Sequence, residues 1–113
     1  MSDCLFCRIV AGEIPADVVH ETDRVLAFRD VQPQAPTHVL VVPRDHHADV
    51  AAVADADPAL LSEVLQAAVA VARQEGLDGG YRLVANTGDD GGQTVHHLHV
   101  HVLGGRRLSW PPG

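Results

Sequence analysis

Four of the chain's eight histidines fall between residues 96 and 101, inside the stretch VHHLHVHVLGG. Three of them, His97, His99 and His101, alternate strictly with Leu98, Val100 and Val102. Successive side chains on a strand point to opposite faces. The spacing therefore predicts three imidazoles on one face, about 7 Å apart at the backbone, and three apolar side chains turned to a core. Thr, Lys or Glu would serve a merely solvated face, so the row points to chemistry of one of two kinds. Three imidazoles can ligate one catalytic metal, as His-x-His pairs on strands do. Alternatively, one imidazole is a nucleophile or base: if its Nδ1–H is held by a carbonyl or another side chain, Nε2 is left free to attack. His96 falls outside the alternation, points away from the row and reads as structural.

The loop ahead of the row favours the second kind. GDDGGQT, residues 88–94, is rich in glycine and enters the row through Thr94. Such turns present backbone N–H groups, which hold a phosphate without any net positive charge. Beside a histidine row, this suggests an imidazole attacking phosphorus. A further pair, Cys4-x-x-Cys7, is open to three readings: metal ligands, a redox pair, or buried reduced thiols.

The composition bounds what these residues can serve. A chain of 113 residues, 46% hydrophobic and 20% charged, is the size and make-up of one globular domain. Its net charge of −7 disfavours a nucleic-acid polymer as partner. No segment has the length of a membrane span, and the N-terminus lacks a basic-then-apolar signal pattern. Two cysteines are too few for a secreted disulfide framework. A cytoplasmic protein is expected.

The elements that must position the histidines can be read coarsely. Residues 3–11 predict a short helix capped by Asp3, with Leu5, Phe6 and Ile9 apolar and Gly12 as its stop. DVVHE (17–21) and VLAFRD (25–30) read as a hairpin, and THVLVVP (37–43) as a third strand. Asp57-Pro58 opens a long helix to about Glu75, with Leu61, Val64, Leu65, Ala68, Val69 and Ala72 as its apolar stripe. YRLVAN (81–86) and VHHLHVHVLG (95–104) complete about five strands. With one long and one short helix, this predicts an α+β domain built on an antiparallel sheet.

HLHVHVL (97–103) matches His-φ-His-φ-His-φ-φ, where φ is apolar, and resembles the signature of the histidine triad (HIT) family. PQAPTHVLVVPRDH, GYRLVANTGDDGGQTVHHLHVHVLGGR and the final WPPG extend the resemblance over nearly the whole chain. They look like the branch of histidine-triad nucleotide-binding proteins that act as purine nucleoside phosphoramidases, of the zinc-bearing bacterial type. The resemblance implies one HIT domain over residues 1–113 and a homodimer across which the sheet extends. The 104–113 segment would lie at the dimer interface and active-site rim.

The implied activity is hydrolysis of the P–N bond in purine nucleoside 5′-phosphoramidates, such as AMP joined to an amine, through a covalent nucleotidyl-histidine. His99 matches the nucleophile and His101 the histidine that binds phosphate and supports proton transfer. His38 matches a further histidine of the relay. Thr94 stands where the family usually has serine and keeps the hydroxyl. Asn86, Gly92, Gln93 and the backbone to Val95 match phosphate-site positions. Asp30 matches the acid that takes both ribose hydroxyls. Leu5, Phe6, Ile9, Phe28 and Val31 match the apolar slot for the base. Trp110 matches a leaving-group specificity position, although as a bare residue it could be a surface aromatic.

Cys4, Cys7, His46 and His97 match a zinc site in the resembling proteins. Two thiolates and two imidazoles close a tetrahedral site, which makes that zinc structural, and no catalytic metal is expected. His47 beside His46 is an alternative ligand. Three rival functions remain: a dinucleoside polyphosphate hydrolase or phosphorylase, a non-enzymatic nucleotide sensor or adaptor, and a hydrolase whose histidine row holds a catalytic metal.

Overall fold

The chain runs α1 (Leu5–Val10), β1 (Val18–Glu21), β2 (Val25–Arg29), β3 (Thr37–Pro43), α2 (Val50–Ala56), α3 (Pro58–Gln74), β4 (Tyr81–Val84), β5 (Val100–Gly104). These elements come from a computed structural model, which describes residues 3–113. The five strands form one sheet in the order β1-β2-β3-β5-β4, and each neighbouring pair is antiparallel. The expected α+β architecture is present, with three helices instead of two.

The two faces of the sheet are assigned by alternation. Val25, Ala27, Val39, Val41, Val100 and Val102 turn to one face, where they join Leu60, Val64, Ala68 and Val71 of α3 in a closed core. Leu26, Phe28, Leu40 and Val42 turn to the other face and pack with Phe6 of α1. Covered on both sides, β3 is buried along its whole length, which explains its near-continuous apolar run. Leu98 joins the helix-side core with Val100 and Val102, as the alternation requires.

The long helix starts where expected. The Asp57 carboxylate accepts the Leu60 N–H at 3.1 Å, and Pro58 occupies the first turn. Its buried arc differs from the expected stripe. Leu60, Val64, Ala67, Ala68, Val71 and Ala72 face the sheet, while Leu65 is 42% exposed and Leu61 and Val69 are half-buried. Apolar residues surround much of this Ala- and Val-rich helix, and the arc richer in small alanines is the one that approaches the sheet. Arg24 pairs with Asp57 and Glu63 near the start of α3, and Arg29 with Glu75 at its end (2.7 Å), so β2 is tied to the helix at both ends.

Three local expectations are corrected. The N-cap of α1 is Cys4, whose Sγ accepts the Cys7 N–H, and not Asp3. The helix α2 was not expected. It buries only Val53, so no apolar period betrays it, and Asp49 caps it by accepting the Ala52 N–H. The last strand begins at Val100 instead of residue 95. Opposite its missing half stands Pro43, which has no N–H for the ladder and whose carbonyl is taken by the His97 imidazole. Residue 98 bonds instead to the His47 carbonyl.

Candidate active site and metal centre

The histidine row sits on the face of the sheet that α1 covers. His97 and His99 precede β5 and His101 lies within it, yet all three imidazoles meet on one side. Phe6 packs edge-on against His97 and His99, with ring centroids 6.0 and 5.0 Å away, and His99 and His101 are 5.1 Å apart. His96 is exposed and takes no part.

The three imidazoles are not equivalent, because their ring nitrogens meet different partners. His99 Nδ1 lies 2.8 Å from the His97 main-chain carbonyl. A carbonyl only accepts, so Nδ1 carries the proton and Nε2 keeps its lone pair. His101 Nδ1 lies 2.8 Å from Nε2 of His38 on β3. The Gln34 N–H donates to His38 Nδ1 at 3.0 Å, which leaves the proton of a neutral His38 on Nε2. His38 therefore donates to His101 Nδ1, and a neutral His101 carries its proton on Nε2. Burial is the largest cause holding His38 and His101 below the ordinary histidine value, His101 down to about 4. Asp30, 3.4 Å from His38 Nε2, partly offsets the effect on His38. The pair is thus neutral at neutral pH.

A cleft of about 510 Å³ opens in front of this row. It brings together the expected Leu5, Phe6, Ile9, Phe28, Asp30, Val31, Thr94, Val95, His99 and His101. Sequence reasoning missed Ile14, Pro15, Ala16, Arg29, Gln32 and Leu40, which also line it. The only signal for residues 14–16 was their place between the helix stop and the first strand. Val31 is 94% exposed, so the apolar side of the cleft has an open lip. Asp30 Oδ1 accepts the Gln32 N–H at 2.8 Å.

Asn86, Gly92, Gln93 and Trp110 do not line the cleft. The Gly92 and Gln93 N–H groups bond to Asp89 and Gly88, inside the glycine loop. The buried Gln93 side chain accepts from the Gly88 N–H and donates to the Ala48 and Val95 carbonyls. These groups hold the loop in shape, and its Thr94–Val95 end faces the cleft. Gly91 is required there because a Cβ would collide with the Thr87 carbonyl. Trp110 is 80% exposed.

His97 belongs to a second centre behind the first. Its Nδ1 lies 3.4 Å from Cys4 Sγ and 3.5 Å from Cys7 Sγ, and His46 Nδ1 lies 3.3 Å from Cys7 Sγ. All four donor atoms fall within 4.8 Å of one another. A tetrahedral zinc with ordinary Zn–S and Zn–N bonds sets sulfur and nitrogen about 3.6 Å apart, so the donor set fits that ion. His97 Nε2 donates to the Pro43 carbonyl at 2.8 Å, which leaves Nδ1 as the ligand atom. His46, and not its neighbour His47, joins this group.

Asp30, His38 and His101 also converge within 4.8 Å. Metal binding there through His38 Nε2 would place a proton on Nδ1, against the Gln34 N–H. The row itself is divided, with His97 in one constellation and His101 in the other.

An antiparallel sheet with a histidine row turned into an open cleft, one ring freed at Nε2 by a main-chain carbonyl, is an arrangement in which imidazole can act as nucleophile or proton carrier. A family model, the HIT domain, matches residues 11–108, and the chain belongs to that family. It is 55% identical over 111 residues to an uncharacterised HIT-like protein of Synechococcus elongatus, covering 98% of this chain and 97% of that one. A 14 kDa zinc-binding protein of Zea mays is 48% identical over 114 residues, covering 99% and 89%. The crystal structure of a HIT family hydrolase from Legionella pneumophila superposes with a TM-score of 0.94 at 54% identity, covering 98% of this chain and all of that one. Among the described residues, no helix is long and apolar enough to cross a membrane.

Proposed function

We propose that this protein hydrolyses the P–N bond of purine nucleoside 5′-phosphoramidates through a covalent nucleotidyl intermediate on His99. The observation that carries the reading is the 2.8 Å contact from His99 Nδ1 to the His97 carbonyl, which frees Nε2 at the cleft. Nε2 attacks the α-phosphorus, the P–N bond breaks, and the departing amine takes a proton from His101 Nε2. His38 keeps its Nε2–H hydrogen-bonded to His101 Nδ1, and the positive charge that His99 gains on bonding phosphorus offsets the proton lost from His101. Water then attacks phosphorus, the P–Nε2 bond breaks, the His38–His101 pair takes the water's proton, and the nucleoside monophosphate leaves.

The cleft supports a nucleotide over a simpler phosphoamide. Leu5, Phe6, Ile9, Phe28 and Val31 offer an apolar slot to a base, and Asp30, which lines the same cleft, is the carboxylate assigned to the ribose hydroxyls. Thr94, with Val95, offers its hydroxyl and backbone to the phosphate. Gly92 and Gln93 hold that end of the loop, and Asn86 is assigned to the phosphate site by the family pattern. Cys4, Cys7, His46 and His97 are the residues that would hold zinc, which when bound supplies a closed structural crosslink. The maize relative's description as a zinc-binding protein supports that assignment.

The outer face of the fold supports the reading of a homodimer. Leu61, Leu65 and Val69 form a partly exposed row on α3 at four-residue spacing, and β4 ends the sheet with Tyr81 41% exposed. A second copy would cover this row and extend the sheet, with the 104–113 segment and Trp110 reaching the rim of the partner's cleft.

The test is incubation with an AMP-amine, a GMP-amine and a dinucleoside tetraphosphate, with mass spectrometry of quenched protein. A nucleotidyl adduct on His99 from the amines is expected. Turnover without any His99 adduct would sink the covalent mechanism, and turnover of the tetraphosphate alone would move the protein to the polyphosphate branch.

A further inference from the structure

We infer that the Cys4/Cys7/His46/His97 centre is a positioning device for the cleft. It fastens α1 in place as the apolar wall and holds the His97 carbonyl against Nδ1 of His99. The nature of the ligand rests on the nucleotide reading above, whereas the mechanical link stands on contacts within the chain.

Apart from this centre, the wall is held by Phe6 and by the partly buried Ile9 and Val10 against one small cluster. With six residues, α1 is far shorter than a helix that is stable alone in water, and Phe6 is its only buried residue. Its N-cap acceptor is Cys4 Sγ, the same sulfur that lies 3.4 Å from His97 Nδ1. One sulfur thus serves both as helix cap and as donor of the metal centre. Cys4 and Cys7 bracket Leu5 and Phe6, and Ile9 follows within the next turn; all three apolar residues line the cleft. Phe6 also stands edge-on to Phe28 at 5.6 Å and to His99 at 5.0 Å. Releasing α1 would open the base slot and uncover the nucleophile together.

The second link runs through His97. Its ring is held at Nε2 by the Pro43 carbonyl and at Nδ1 by the donor cluster, and its main-chain carbonyl orients His99. His97 is a positioning residue for the reaction, acting through His99, whereas Phe6 both lines the slot and carries the wall. The large core lies on the opposite face of the sheet and includes no residue of α1. Opening of α1 is therefore a local event that leaves the sheet folded.

The full chain loaded with one equivalent of zinc is compared with chelator-stripped protein, and with Cys7→Ser, by amide hydrogen exchange and by calorimetric titration with AMP. On stripping, exchange across residues 5–10 should accelerate, and the AMP dissociation constant should rise, each about tenfold or more, while β3 and β5 keep their protection. Zinc readdition should restore both in the native chain and not in Cys7→Ser. Phe6→Ala should weaken AMP binding with zinc content unchanged.

Unaltered α1 exchange on stripping overturns the inference. So does loss of protection across the whole sheet, which would make the metal a general fold ligand, and so does failure to take up zinc. If the loaded protein does not bind AMP, the nucleotide reading fails, and the exchange comparison alone decides the link.

Discussion

His38 on β3 and His101 on β5 are 63 residues apart in sequence, yet their rings share a hydrogen bond of 2.8 Å between Nε2 and Nδ1. Antiparallel pairing makes this possible. Leu40 stands opposite His101 and His38 opposite Leu103, so the two histidines are diagonal neighbours on one face. The Gln34 N–H orients the pair from one end, so its free proton sits on Nε2 of His101.

His101→Gln should lower the rate of P–N cleavage by about 10²–10⁴, the range for loss of a general acid–base group, with a much smaller effect on AMP affinity. Steady-state kinetics with an AMP-amine and calorimetry with AMP check the two halves. His99→Asn should abolish the covalent adduct while AMP still binds. Wild-type activity in that variant would remove His99 from the role of nucleophile.

Acid should weaken the fold through the same pair. His101 titrates at about 4 in the folded chain, below the ordinary 6.5, chiefly because burial disfavours its charge. The unfolded chain therefore binds more protons between those values, and the stability due to neutral His101 is present above pH 6.5 and lost as pH falls through about 4. Urea midpoints measured at pH 7 and pH 4.5 should differ more in the native chain than in His101→Gln. Equal differences would contradict the assignment.

Asp30→Asn should act twice. It removes the carboxylate proposed to accept the ribose diol, so the preference for AMP over 2′-deoxy-AMP should shrink several-fold. It also removes the charge that raises the His38 value, so His38 should titrate still lower. Competition binding tests the first effect and histidine NMR titration the second.

Leu65→Glu should separate assembly from folding. Leu65 is exposed on the outer row of α3, so the charge costs the isolated domain little, whereas it would be buried in the proposed dimer. Sedimentation should shift to monomer with near-native circular dichroism. By contrast, Leu60→Ala, at a site 1% exposed beneath the same helix, should cost about 2–5 kcal/mol in urea unfolding.

Several features were legible along the chain because they depend on near neighbours. The alternation in HLHVHVL named which side chains face the helices and which face the cleft, and Asp57-Pro58 marked the start of α3. Thr37–Pro43 reads as a buried strand because both its faces are covered. α2 was not legible, since a helix that buries one valine leaves no period. The buried arc of α3 differs from the expected stripe because Leu61, Leu65 and Val69 continue the apolar pattern along one edge of it, and only the shape of the sheet decides where packing stops.

By itself, the sequence determined that three imidazoles share one face and that apolar residues back them, a consequence of the two-residue period of extended chain. The family pattern added which residues to watch. Only the tertiary structure decided what each imidazole is for. A ring nitrogen is a donor or an acceptor according to the atom it meets, and those atoms come from elsewhere in the fold: the His97 carbonyl for His99, Gln34 and His38 for His101, and the sulfurs of α1 for His97. A linear spacing cannot encode a tautomer; packing does, by setting a carbonyl, a ring or a sulfur within 3.5 Å of one chosen nitrogen.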